Sequence, residues 1–227
     1  MIWFKFNDKR SDTEGLILKE IPTRFYPEKR IERIQIPNRD GYLYEEEEAY
    51  DTFILTVEFT IKNRKNINSV FSWLNGEGKL YFSDFDDRYY NARVVNAPTF
   101  QRMLSTFGKC QIQFECMPFS NKEVDSITLT DDEDELSITT LAPIRPILKL
   151  TGTGAFTITI NNKSIVLTGV DDPIINCELG ILSEEGTIAN AKINGDPREL
   201  KLVNGNNIVS VIGTYTSLEI EYCERWL

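Results

Sequence analysis

The side chains that could carry chemistry in this chain are carboxylates, lysines, tyrosines and four cysteines, because the sequence contains no histidine. Histidine is the usual general base near neutral pH, and many catalytic triads and zinc sites depend on it. A pair of carboxylates, as in glycosidases, would still permit hydrolysis. No spacing in the sequence singles out such a pair, so we predict no catalytic, cofactor-binding or metal-binding residue.

Two runs of acidic residues are the densest groups of candidate ligands. Glu45–Glu48 precede an apolar alternating segment, and we interpret them as an exposed loop or solvated surface. Asp131–Glu135 could suggest calcium, but an EF-hand loop needs a glycine at its sixth position, where this chain has Leu136. The sequence therefore favours a solvated linker at Asp131–Glu135.

The cysteines are predicted to be small core residues. Cys110 and Cys116 lie on one face of an apparent strand, and at about 3.3 Å per residue their Cα atoms would be about 20 Å apart, beyond disulfide range. The glycine pairs Gly76/Gly78 and Gly152/Gly154 do not continue into a phosphate-binding motif, so we interpret them as turn glycines. A basic cluster that could meet an acidic protein surface comprises Lys5, Lys9, Arg10, Lys29, Arg30 and Arg33.

Bulk properties indicate a globular protein that does not adhere to nucleic acid. The chain has 227 residues, 41% of them hydrophobic, and a net charge of −10, which opposes binding to phosphates. It has no apolar run of the roughly 20 residues that would span a bilayer. Met1–Phe6 lack the pattern of a secretory signal, so we expect synthesis and folding in a cytoplasm.

The elements that must position these residues are mostly strands. Apolar residues alternate along Phe53–Ile61, and the runs Phe156–Ile160 and Ile165–Leu167 flank Asn161-Asn162, which predicts a hairpin. Short later strands are typical of an antiparallel sandwich. They are predicted at Ile174–Leu179, Ile188–Ile193, Leu200–Val203, Ile208–Ile212 and Leu218–Tyr222.

One segment has helical spacing instead. Ile67, Val70, Phe71 and Leu74 form a single apolar stripe, with Asn66 as candidate N-cap and Gly76 as the left-handed C-terminal residue. The charged and proline-containing stretch Thr130–Pro146 is the natural linker. We therefore predict two domains, residues 1–140 and residues 141–227.

The turn Ile36–Leu43 has Pro37, Asn38, Arg39, Asp40 and Gly41 directly after a hydrophobic residue. It resembles the hydrophobic-Pro-Gly-Arg-Asp-Gly element of the distal tail (Dit) protein family of siphophages, with Asn38 in place of the first glycine. Gly195–Leu200 departs from the aromatic-bearing turn of the family. The other similar blocks follow in the family's order over nearly the whole chain: Trp73–Asp84, Tyr90–Val94, Thr157–Asn161, Asn176–Glu178, Asn204–Ile208 and Arg225–Leu227.

The resemblance implies a mainly β protein without catalytic residues or cofactors. Its N-terminal, ring-forming domain would be a β-sandwich with one short helix and a β-hairpin, followed by a C-terminal galectin-like or carbohydrate-module-like β-sandwich. It implies a homo-hexameric ring at the virion tail tip, assembled in the bacterial host cytoplasm. The ring would join the tail tube protein to the tail-associated (Tal) fibre-like protein and anchor host-adhesion components such as receptor-binding proteins, while DNA passes through its lumen unbound.

An alternative is a carbohydrate-binding module for adhesion to the host cell surface. That function needs a solvent-exposed aromatic platform in residues 142–227, where Phe156, Tyr215, Tyr222 and Trp226 are the available rings. The other interpretation of these aromatics is that they close the core of a sandwich. A wall-degrading enzyme with two catalytic carboxylates is a third alternative, which no pair of acidic residues supports.

Overall fold

The protein is built almost entirely of β-strands. The computed structural model describes residues 2–24, 26–63, 67–96, 99–102 and 108–226. They fold into two compact units that divide between Asn121 and Lys122. Within these residues, no helix is long and apolar enough to cross a membrane.

The N-terminal unit contains one large antiparallel sheet, one helix and a separate hairpin. The sheet has the order β2-β1-β7-β8-β10-β6-β3, with β9 also paired to β10, and the hairpin consists of β4 and β5. The elements are β1 (Phe4–Phe6), β2 (Lys9–Arg10), β3 (Leu16–Leu18), β4 (Lys29–Ile34), β5 (Leu43–Tyr50), β6 (Phe53–Ile61), α1 (Ile67–Trp73), β7 (Glu77–Phe82), β8 (Phe85–Val94), β9 (Thr99–Arg102) and β10 (Gly108–Lys122).

This sheet curls around its own core. Strands β1 and β6 are four steps apart in the sheet, which would separate them by about 19 Å if it were flat. The rings of Phe4 on β1 and Phe59 on β6 are nevertheless 6.2 Å apart, and Phe114 on β10 lies 6.2 Å from Phe4. All three side chains are buried. The N-terminal sandwich expected from the sequence therefore takes the form of one sheet folded over a single core.

The apolar alternation predicted from the sequence places side chains in this core. Leu55, Val57 and Ile61 of β6 are each about 1% exposed. On β10, Cys110 and Cys116 lie on the same buried face, and all four cysteines of the chain are free thiols. The prediction of core cysteines is therefore confirmed for these two residues.

The predicted helix is present as α1. Val70 is fully buried and Leu74 is 1% exposed, while the indole N–H of Trp73 donates a 2.9 Å hydrogen bond to the carbonyl of Phe6. Gly76 has a φ of +79°, as expected for a left-handed residue after a helix. The candidate N-cap, Asn66, lies outside the described residues.

The C-terminal unit is a sandwich of two antiparallel sheets. One has the order β11-β21-β13-β16-β17-β18 and the other β12-β20-β14-β15-β19. A single buried cluster draws residues from both, so the two sheets face each other. The strands are β11 (Asp125–Leu129), β12 (Glu133–Ile138), β13 (Ile147–Thr151), β14 (Thr153–Ile160), β15 (Lys163–Asp171), β16 (Ile174–Asn176), β17 (Ile181–Glu184), β18 (Thr187–Ile188), β19 (Ile193–Asn194), β20 (Gly205–Ile212), β21 (Ser217–Tyr222) and β22 (Arg225–Trp226).

Three predicted strands of this unit are wrong in detail. The predicted strand Ile174–Leu179 ends at Asn176, the last residue of β16. The segment Ile188–Ile193 is interrupted by a 3-10 turn at Asn190–Lys192, and Leu200–Val203 contributes a single bridge, between Leu202 and Ile144. The hairpin around Asn161-Asn162 is confirmed, since Ile160 pairs with Lys163 and Asn161 has a φ of +57°.

The acidic run Asp131–Glu135 is not a linker. Its last three residues belong to β12, an edge strand paired with β20, whose inward side chains Leu136 and Ile138 are buried. Charged side chains on the solvent face of an edge strand discourage pairing with another chain. The compact units accordingly separate before this run, earlier than the boundary at residues 140/141 that its charge suggested.

Two of the glycines interpreted as turn residues have other roles. Gly78 lies within β7, where an added Cβ would be 1.7 Å from the side-chain oxygen of Asn7. Gly154 lies in β14 next to a break in register with β15. Gly78 therefore lets the Asn7 side chain pack against β7, and Gly154 accompanies a bulge.

Candidate assembly surfaces

The hairpin of β4 and β5 is the most exposed element of the N-terminal unit, and we call Lys29–Tyr50 the arm hairpin. It forms a two-stranded sheet of its own and joins no larger sheet in the described part of the chain. Its large apolar side chains are exposed to solvent: Tyr44 is 59%, Ile31 49% and Leu43 48% exposed. Ile31 pairs with Glu46 and Arg33 with Tyr44 on one face, whereas Leu43 lies on the other.

The second face of the arm hairpin is acidic. Glu32 and Glu45 are directly opposite each other in the register. Like charges in opposed positions weaken a strand pair by up to about 1 kcal/mol. Two ion pairs lie near the base of the hairpin: Lys29 to Glu46 at 3.4 Å and Arg30 to Asp51 at 2.7 Å. Glu45–Glu48 belong to β5, so the predicted loop is wrong, whereas the alternative prediction of a solvated surface is confirmed for Glu45, Glu46 and Glu47, which are exposed.

Both ends of the arm hairpin have defined geometry. At its turn, Asn38 and Gly41 have φ angles of +60° and +82°, which explains why asparagine can stand where the related motif has glycine. At its base, the rings of Tyr50 and Phe119 are 4.9 Å apart and nearly perpendicular. The arm hairpin is therefore attached to the sheet at one end, and its remaining length is available for contacts.

A second exposed surface surrounds Phe85 at the turn between β7 and β8. The guanidinium groups of Arg24 and Arg88 lie 4.9 Å and 5.3 Å from the Phe85 ring, which is itself 47% exposed. Arg24 also forms a 2.7 Å ion pair with Asp84. Arginine and aromatic residues are enriched at the energetic centres of protein interfaces. The sequence did not reveal this cluster, because Arg24 is distant from Phe85 along the chain.

The predicted basic cluster is largely committed to neighbours within the unit. The amine of Lys5 lies 4.5 Å from the Tyr81 ring, and Arg10 stacks 4.3 Å from the Trp3 ring while pairing with Asp12 at 2.8 Å. Arg10 holds the pKa of the Asp12 carboxyl below its usual value. Lys5 and Arg10 are therefore engaged within the N-terminal unit, as are Lys29 and Arg30 through their ion pairs with Glu46 and Asp51.

The aromatic residues proposed for a sugar platform are mostly internal. Phe156 is 2% and Tyr222 7% exposed, both within the sandwich core. The hydroxyl of Tyr215 donates to the carbonyl of Asp131 at 2.7 Å, and the Trp226 ring is half-buried beneath the Lys122 amine. These four rings therefore form no exposed stacking surface, which argues against the carbohydrate-binding alternative.

The buried thiols are unsuited to chemistry. Burial raises the pKa of Cys110 to about 11 and the pKa values of Cys116 and Cys177 to about 12. Such thiols stay protonated at neutral pH and are poor nucleophiles and metal ligands. Among the described residues, no group of three or more histidine, cysteine, aspartate or glutamate side chains could hold a metal ion.

Comparison with known proteins agrees with a role in assembly. Residues 11–116 match the model of the phage tail protein RIFT-related domain family. The whole chain also has the fold of the Dit protein of phage SPP1, with a TM-score of 0.75, 14% sequence identity and 100% coverage of both chains. The chain thus contains a segment that matches a phage tail domain family and has the fold of a Dit protein. The curated proteins contain no match to it.

The SPP1 protein is described as a paradigm of the hub adsorption apparatus of phages that infect Gram-positive bacteria. At 14% identity this likeness shows a shared fold, while the matched domain ties the N-terminal unit to phage tails. Both comparisons are with phage tail proteins. The mainly β Dit fold expected from the sequence is confirmed, whereas the galectin-like character of the second sandwich stays a prediction.

Proposed function

We propose that this Dit-like protein forms a homo-hexameric ring at the distal end of a phage tail. One face of the ring binds the tail tube protein and the other the Tal fibre-like protein, and its periphery anchors host-adhesion components. The hub role described for SPP1 Dit supports this proposal. A net charge of −10 per protomer suits a lumen through which DNA passes without being held.

The arm hairpin is the observation that carries the proposal. An isolated two-stranded hairpin is marginally stable in water, and this one exposes Tyr44, Ile31 and Leu43. A neighbouring protomer that covers these side chains would supply the missing burial, at about 25 cal/mol per Å² of apolar surface. Because the arm and the surface it covers are different parts of the protomer, the contact is heterologous and closes into a ring by rotation.

The test compares oligomeric state among three proteins. Wild-type protein at micromolar concentration should give a six-subunit species by native mass spectrometry and an annulus by negative-stain electron microscopy. The double substitution Ile31→Ser with Tyr44→Ser removes apolar side chains from one face of the arm and should give monomers with an unchanged circular dichroism spectrum. Ile212→Ser is the matched control, since Ile212 is 70% exposed but lies in the C-terminal unit.

The outcomes show whether the protein assembles and which surface makes the contact. A strictly monomeric wild-type protein would count against the ring. Rings that persist in the arm variant would show that the contact lies elsewhere, for instance at the Phe85 cluster, which Arg24→Ala would then probe. Loss of the ring in the Ile212→Ser control would assign the contact to the C-terminal sandwich.

A further inference from the structure

Asn-Gly pairs offer a reaction that needs no enzyme. The chain has three of them, at Asn75-Gly76, Asn194-Gly195 and Asn204-Gly205. The glycine nitrogen attacks the side-chain carbon of asparagine, a C–N bond forms, and ammonia leaves to give a cyclic succinimide. Water then opens the ring to aspartate or isoaspartate. We propose that Asn75 is a spontaneous deamidation site of this kind and that the fold selects it over the other two pairs.

The geometry at Asn75 is close to that needed for attack. The backbone N–H of Gly76 donates to the side-chain oxygen of Asn75 at 2.9 Å. The attacked carbon is bonded to that oxygen, so the nitrogen already lies beside it, and such proximity lowers the barrier to ring closure. Both residues are exposed, and a Cβ added at Gly76 would meet nothing within 4 Å. Water and the five-membered ring therefore both have room.

The fold restrains the other two pairs. The side-chain oxygen of Asn204 accepts a hydrogen bond from the Thr140 N–H at 3.2 Å. This bond directs the amide group of Asn204 toward Thr140, in the segment that follows β12. Asn194 belongs to β19 and is paired with Val166. A Cβ at Gly195 would be 3.2 Å from the carbonyl oxygen of Ser164, so ring closure there is crowded. Ordered backbone of this kind must open locally before it reacts.

The modification would alter the junction between α1 and β7. An isoaspartate lengthens the main chain by one carbon at residue 75, next to Gly76, whose carbonyl accepts the Val94 N–H at 2.8 Å. Either product also places a carboxylate at the C-terminal end of α1, where the helix dipole disfavours negative charge. Deamidation at this position thus acts where α1 leads into β7, an interior strand of the N-terminal sheet.

The experiment follows all three pairs at once. Trypsin separates them into the peptides Asn66–Lys79, Ile193–Arg198 and Leu202–Arg225. Full-length protein is incubated at mildly alkaline pH, with and without urea, and is then digested. Mass spectrometry with fragment ions assigns each deamidated residue, and labelling by isoaspartyl methyltransferase confirms the isoaspartate product. In the folded protein we expect modification at Asn75 to precede that at Asn194 and Asn204, whereas in urea the three rates should become comparable.

Two results would overturn the proposal. Equal rates at the three pairs in folded protein would show that the fold selects nothing, and the same ranking in urea would assign it to local sequence. Asn75→Gln is the control, because it should remove the isoaspartate signal from Asn66–Lys79 without changing the other two peptides. Asn75→Asp reproduces the added charge without the lengthened backbone, so the shift of its unfolding midpoint separates the two consequences.

Discussion

Replacement of Asn207 should be the most damaging single change in the C-terminal unit. Asn207 is fully buried at the start of β20, and its side chain makes five hydrogen-bond contacts. Its oxygen accepts from the Val203 N–H at 2.8 Å and from the Asn161 amide at 3.0 Å. Its amide donates to the carbonyls of Val203, Gly205 and Leu136 at 2.8, 3.1 and 3.3 Å. One side chain therefore links β12, the loop before β20 and the β14–β15 turn.

The expected loss follows from these contacts. At about 0.5–1.5 kcal/mol for each of the five contacts, Asn207→Ala should lower the free energy of unfolding by about 2.5–7.5 kcal/mol. Domains are stable by only about 5–15 kcal/mol, so this is a large share. Urea titrations with tryptophan fluorescence can measure it, because Trp226 is the only tryptophan after residue 121. Asn206→Ala is the control, since its side chain is exposed on the same strand.

Asn207→Asp tests the polarity of the network. The introduced carboxylate would face three carbonyl oxygens, so its folded pKa would lie above the unfolded value of about 3.9. A carboxyl group with a raised folded pKa destabilises the protein as the pH rises above the unfolded pKa. This variant should therefore be less stable at pH 7 than near pH 4, relative to wild type at each pH. A loss below 1 kcal/mol for Asn207→Ala, or a pH-independent effect of Asn207→Asp, would refute this account.

Three further predictions concern packing, thiols and pH. Gly213→Ala should destabilise the protein by about 2–5 kcal/mol, because the φ of Gly213 is +142° and an added Cβ would be 2.5 Å from a buried ring. Gly169→Ala, with a φ of +61° and open space around the added Cβ, should cost only the backbone strain of about 1–3 kcal/mol. Thermal unfolding of the two variants measures the difference. At pH 8 a thiol reagent should modify the partly exposed Cys223 alone in native protein and all four cysteines after denaturation, since burial raises the other three pKa values to about 11 or about 12. The hydrogen bond from Lys192 lowers the pKa of Glu184 below 4.5. The stability that this ionised pair contributes is therefore present above pH 4.5 and is lost as the pH falls below that value. The difference in unfolding midpoint between Glu184→Gln and wild type should shrink over the same pH range.

The sequence predicted elements well where local pattern and burial agree. The alternation in Phe53–Ile61 places every second side chain in one core, and the helical stripe of α1 has no strand-like alternative. The prediction from sequence failed where charge and burial conflict. Five consecutive acidic residues indicate a linker, yet in an edge strand alternate carboxylates can face water while Leu136 and Ile138 remain buried. That one feature also displaced the predicted domain boundary.

Surface contacts could not be predicted from the sequence for a different reason. The stacking of Arg24 and Arg88 on Phe85 joins the loop before β4 to the β7–β8 turn, which only the curl of the sheet brings together. Part of the arm hairpin could be predicted, because the sequence shows the turn Ile36–Leu43 and the run of glutamates. Its separation from the other sheets was not, since an isolated hairpin and a hairpin inside a sheet share the same alternation.

The physical nature of the proposed ring contact can be decided with salt. Six protomers of net charge −10 repel one another, and this repulsion is screened over about 10 Å at 0.1 M ionic strength and about 3 Å at 1 M. If the arm hairpin binds through Ile31 and Tyr44, the attraction is apolar and added sodium chloride leaves it intact while it weakens the repulsion. The concentration at which rings dissociate should then fall as salt rises, as followed by mass photometry. Rings that come apart in salt would instead show that Glu32 and Glu45 meet cationic side chains of the neighbour, and the apolar account of assembly would have to be abandoned.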